Sequence, residues 1–80
     1  MDLVSAIRNR FLVLCDQRGL TINKLANISA VPPSSLKNIF YKKSNNPKII
    51  TIKKLCDGLE ITLAEFFDAP EFNELEQEIK

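Results

Sequence analysis

The chain has no histidine and no tryptophan, and its two glycines and two cysteines stand far apart in the sequence. Without histidine it lacks the commonest general base and the commonest metal ligand. Gly19 and Gly58 cannot furnish a phosphate-cradling loop, and no Gly-rich nucleotide fingerprint is present. Cys15 and Cys56 form no C-x-x-C pair, and a zinc site would need carboxylates that do not cluster beside them. Two reduced thiols behaving as small apolar side chains are the expectation. Paired carboxylates such as Glu74 and Glu78 fall on an exposed i, i+4 spacing with nothing to raise a pKa. These absences argue against an enzyme and imply no metal and no cofactor. Long apolar runs are missing too. The run from Phe11 to Cys15 is shorter than the roughly seven to fifteen residues of a signal core, and no stretch nears the length of a membrane span. A cytoplasmic protein without a membrane partner or an evident small-molecule ligand is expected.

What is present is a sharp division of charge. The formal net charge is only +1, but Met1 to Cys56 carries ten basic residues against Asp2 and Asp16. From Asp57 to Lys80 there are eight acids and one lysine. No carboxylate lies between Gln17 and Cys56. A basic block followed by an acidic tail points to polyanion binding by the first part of the chain.

The apolar pattern is helical throughout. Leu3, Ile7, Phe11 and Leu14 share one face of a first helix, about Asp2 to Arg18, capped by Asp2 and stopped at Gly19. Val4, Leu12, Val13 and Cys15 on its other side either extend the core or form a contact surface. Thr21 caps a short second helix to about Ser29, with Leu25 and Ala26 inward. After Ala30-Val31-Pro32, Pro33 suits the first position of a third helix running to Tyr41, which buries Leu36, Ile39 and Phe40. Ile52, Leu55, Cys56 and Leu59 define a fourth helix; Thr62 and Glu65 form a capping box for a fifth, ended by Pro70. Phe72, Leu75 and Ile79 would line a short sixth, acidic helix that packs on the body or mediates pairing. No strand pattern appears. The chain divides into a domain over 1–69 and an acidic segment over 70–80.

Function concentrates between Thr21 and Tyr41. A short helix, a tight break and a second short helix is the arrangement that lets the second helix enter a major groove. At 100° per residue from Pro33, the buried Leu36, Ile39 and Phe40 fall at roughly 240° to 340°. Pro33, Ser34, Lys37, Asn38 and Tyr41 fall at roughly 0° to 140°, opposite them. That outward side offers hydroxyl, amide, ammonium and phenol groups and no carboxylate. Asn bonds adenine bidentately, Lys reaches guanine acceptors and Ser serves either.

The run Gly19-Leu20-Thr21, Leu25-Ala26, Val31, Ser34-Ser35-Leu36, Ile39, Asn46-Pro47, Leu55-Cys56 to Leu59, and Leu63-Ala64-Glu65-Phe66-Phe67 resembles the lambda-repressor and Cro-like helix-turn-helix domains. The likeness spans about Ile7 to Asp68. It implies an all-α, five-helix DNA-binding domain of a bacterial or phage transcriptional regulator, repressor-like, often a homodimer on double-stranded DNA. It further implies base contacts from Pro33, Ser34, Lys37 and Asn38. Phosphate contacts are implied for Thr21, Asn23 and Lys24, and for Tyr41, Lys42, Lys43, Ser44 and Asn45. Exposed amides at the start of the second helix suit a phosphate. Departures from the family pattern are equally specific. Ile22 stands where glutamine is frequent, so that contact should be missing or replaced. Pro33 leaves only van der Waals contact at its position. Ala30, Lys42 and Glu60 stand where glycine is common, and Lys42 and Glu60 should hold positive φ at a strain of roughly 1 kcal/mol each. Lys48 stands where a capping Ser or Thr is usual. The rival reading is a protein-interaction module on the same scaffold, antitoxin-like or anti-repressor, using Val13, Ile22, Ile28 and the acidic tail.

Overall fold

The computed structural model describes residues 1–41 and 46–79. The described residues form α1 (Leu3–Arg18), α2 (Ile22–Ile28), α3 (Pro33–Tyr41), α4 (Ile49–Gly58) and α5 (Leu63–Phe67), then a 3-10 turn over Pro70–Asn73. No strand occurs among them, and none of these helices is long and apolar enough to cross a membrane.

Helices α1, α2 and α5 begin where a side chain takes up an orphan amide. Asp2 Oδ1 accepts from Ser5 N–H at 2.8 Å and Thr21 Oγ1 from Lys24 N–H at 3.1 Å. The capping box closes reciprocally: Thr62 Oγ1 accepts from Glu65 N–H at 3.0 Å, and Glu65 Oε1 accepts from Thr62 N–H at 2.9 Å. Hydrogen bonds from the Ser5 and Thr62 backbones, respectively, hold the Asp2 and Glu65 carboxyls below the usual carboxylate range. Both caps therefore favour the fold above the usual carboxylate pKa, and that contribution is lost as pH falls through the lowered values. Lys48 occupies the cap position of α4 and makes no side-chain capping bond.

Helices α1, α2 and α4 stop in the same way. Leu20 N–H reaches Cys15 O at 2.9 Å, Val31 N–H reaches Ala26 O at 3.0 Å, and Ile61 N–H reaches Cys56 O at 3.0 Å. The residue before each donor is left-handed: Gly19 at φ 62, Ala30 at φ 54 and Glu60 at φ 59. An apolar residue then folds back on the core, as this stop requires. Only the first uses glycine. Glu60 holds the expected positive φ, Ala30 adds a second strained site, and Lys42 lies outside the described residues. Ala30→Gly and Glu60→Gly should each raise stability by about 0.5–1 kcal/mol, the left-handed penalty less the extra freedom of unfolded glycine. Urea midpoints should rise at constant slope; a lowered midpoint would contradict the strain.

One core fills the space between the helices. Phe11 and Phe66 are fully buried with ring centroids 4.4 Å apart, and Phe40 meets Phe11 edge-on at 6.4 Å. Leu25, Leu36, Leu55 and Cys56 complete the fully buried set of large side chains. Burial pushes both thiols up, Cys56 to about 11, so both are protonated at neutral pH. Helices α2 and α4 touch closely enough that a Cβ at Gly58 would lie 2.1 Å from Ser29 Oγ, which excludes any larger residue there without movement. Leu3 lies at the rim, 39% exposed, instead of on the buried face. Leu12 and Val13 face outward, whereas Cys15 joins the core and Val4 is half-buried.

The C-terminal segment departs from expectation. Phe72 packs against the core and Leu75 is half-buried, but Ile79 is 84% exposed, and residues 74–79 are not helical. The expected stripe does not form because Glu71, Glu74 and Glu78 would stack like charges at i, i+3 and i+7 on one helical side. The segment runs back to the start of α1 instead, where Glu76 N–H donates to Met1 O at 3.2 Å.

Candidate nucleic-acid interface

The geometry of α3 follows from three anchors. Leu36, Ile39 and Phe40 are buried, which fixes the helix's rotation. Pro33, Ser34, Ser35, Lys37, Asn38 and Tyr41 are all exposed, Tyr41 at 69%. The four residues expected to meet bases thus share the open side of one nine-residue helix. That side carries no acid. Glu76 of the acidic tail makes its polar contacts with Met1, just ahead of α1.

Helix α2 contributes Thr21, Asn23 and Lys24, all exposed. Thr21 spends one lone pair on the Lys24 amide and keeps its hydroxyl hydrogen for another acceptor. Ile22 is half-buried against the core, so it replaces a polar contact with packing. Of the remaining expected contacts, Tyr41 is exposed, while Lys42, Lys43, Ser44 and Asn45 lie outside the described residues.

Two features were not anticipated from the sequence. Ser35 is exposed at roughly 200° on the helical wheel, just past the sector assigned to contacts. With Asn38, Ile39, Asn46, Pro47, Lys48 and Thr51 it lines a cleft of about 280 Å³ between α3 and the start of α4. Its polar side chains are Ser, Asn, Lys and Thr; again none is acidic. The signal was present in the unbroken absence of carboxylates from Gln17 to Cys56, although only the fold brings Thr51 beside Ser35.

The basic block divides by role. Arg8 Nε donates to Ile39 O at 3.2 Å, while Arg10 donates to Phe66 O at 2.7 Å and Glu65 O at 2.9 Å. Both arginines therefore sit at the negative ends of other helices, α3 and α5. Lys53 pairs with Asp57 one turn along α4. Arg18, Lys24, Lys37, Lys48 and Lys54 are exposed and carry no ion pair among the described residues.

Comparison with known proteins agrees with this architecture. Residues 10–71 match the model of the Cro/C1-type HTH DNA-binding domain. The chain is also similar to the solved prophage Lp1 protein 11, at 33% identity and a TM-score of 0.81, over 94% of this chain and 100% of that one. No curated protein matches. A helix-turn-helix with an exposed, acid-free second helix and a family match across most of its length lead to one conclusion: the chain belongs to the Cro/C1-type helix-turn-helix family of DNA-binding domains.

Proposed function

We propose that the chain is a sequence-specific, repressor-like transcriptional regulator that places α3 in the major groove of double-stranded DNA. The observation that carries this reading is the exposed side of α3, where hydrogen-bonding groups stand free of any carboxylate. In this reading Asn38 pairs with an adenine edge, Lys37 and Ser34 reach neighbouring acceptors, and Pro33 meets a thymine methyl. Thr21, Asn23 and Lys24 hold a phosphate on one side of the groove. Tyr41, Lys42, Lys43, Ser44 and Asn45 hold phosphates on the other. Residues 1–69 act as the DNA-binding domain and 70–80 as an accessory acidic segment. A homodimer would set two half-sites about 34–36 Å apart on one DNA face.

Selection of bound sequences from random duplex DNA tests the reading. Enrichment of a short motif, palindromic if a dimer binds, is expected. Recovery of unenriched DNA would overturn sequence-specific recognition.

A further inference from the structure

Resting on the reading of α3 as the recognition helix, we infer that Arg8 of α1 is a positioning residue that sets where α3 presents its base-reading side chains. Among the described residues no side chain caps the start of helix α3, where Pro32 supplies its carbonyl to Ser35 and Leu36 N–H, at 3.0 and 3.2 Å. Its other anchors, Leu36, Ile39 and Phe40, are apolar. Apolar packing is non-directional, so it does not by itself select among small displacements along the helix axis. A hydrogen bond is directional and resists such sliding. Arg8 Nε–H donates 3.2 Å to Ile39 O from 31 residues away, in a partly buried setting. That carbonyl lies in the last described turn of α3, toward the negative pole of the helix, where a cation is favoured.

The grip is double. Arg8 and Phe11, one helical turn apart on α1, meet consecutive α3 residues: Arg8 holds the Ile39 carbonyl and Phe11 contacts the Phe40 ring. Ile39 directly follows Lys37 and Asn38, so any slip of the pinned carbonyl is carried to both. Arg8 thus serves DNA recognition through a carbonyl of the reading helix, even though a count along the sequence shows it only as one cation of the basic block.

The test compares wild type with Arg8→Met, Arg8→Gln and Arg8→Lys, each measured where circular dichroism shows full folding. The ligands are a duplex recovered from random-sequence selection and a scrambled duplex of equal length. Arg8→Met and Arg8→Gln should lower the ratio of selected to scrambled affinity about tenfold, the loss expected when one base pairing is misaligned. The salt dependence of binding should keep its slope, and Arg8→Lys should restore most of the ratio. An unchanged ratio in every folded variant would overturn the inference. So would a slope shallower by about one, which would make Arg8 a direct phosphate contact. Amide exchange of Phe40 and Tyr41 in the free protein supplies a readout that needs no DNA. Faster exchange there than in α4 and α5 is expected in Arg8→Met, or in Arg8→Gln should Arg8→Met fail to fold; uniform exchange would overturn the inference. If wild type prefers no duplex, the proposed function fails, and exchange still decides the role of Arg8 within the fold.

Discussion

Raising monovalent salt from 50 to 200 mM is expected to weaken binding to duplex DNA by on the order of 10²–10³ per protomer. The estimate follows from counterion release. About five phosphate contacts give a slope near −4.5 in log K against log salt. A dimer would double the exponent. The structural basis is the set of exposed cations, Lys24 and Lys37 on the helix-turn-helix and Lys48 beside the cleft, with no acid on the open side of α3. The protein's acids are concentrated elsewhere, with the tail drawn to Met1 and Asp57 held by Lys53. A titration series by fluorescence anisotropy would measure the slope directly. A flat response would favour the rival reading, a protein-interaction module using the exposed Val13 and Ile28.

The second large effect concerns the core. Phe66→Ala should destabilise the domain by about 3–5 kcal/mol, the range for deleting a fully buried ring and leaving a cavity. Phe66 is 0% exposed and its ring contacts those of Phe11 at 4.4 Å, Phe67 at 4.9 Å and Phe72 at 5.9 Å. It joins α1, α5 and the turn after Pro70, and its carbonyl receives Arg10. Neighbouring rings in three elements cannot all close inward on the gap, so little of the lost contact is recovered. A domain of 80 residues commands only about 4–12 kcal/mol in total. The melting temperature should therefore fall by on the order of 20 °C, measurable by calorimetry. A shift of only a few degrees would mean that Phe66 is not the hub that the ring geometry describes.

Much of this architecture was legible because its signals are local. Asp2, Thr21, Thr62 with Glu65, and Pro33 each fix a helix start by chemistry that acts within four residues, and the observed boundaries follow them. The spacing of Leu36, Ile39 and Phe40 gave the orientation of α3 for the same reason. Three features were hidden because they depend on distant partners or competing forces. Arg8 and Arg10 counted as cations of the basic block, yet their acceptors lie 31 and 55–56 residues away. Nothing local to either arginine marks it as a cap for another helix. Ala30 adopts a left-handed φ despite its methyl group because the Val31 N–H to Ala26 O bond and the burial of Val31 require the turn. The apolar spacing of Phe72, Leu75 and Ile79 suggested a helix, but spacing alone omits repulsion between the glutamates interleaved with them.

Asn38→Ala, measured beside Lys24→Ala on selected and scrambled duplexes, tests most directly whether α3 reads bases. The expected result is a loss of about 1–3 kcal/mol on the selected duplex for Asn38→Ala, with little change on the scrambled one and no change in salt slope. Lys24→Ala should weaken both duplexes alike and make the slope shallower by about one. Full sequence preference retained by Asn38→Ala would contradict the account.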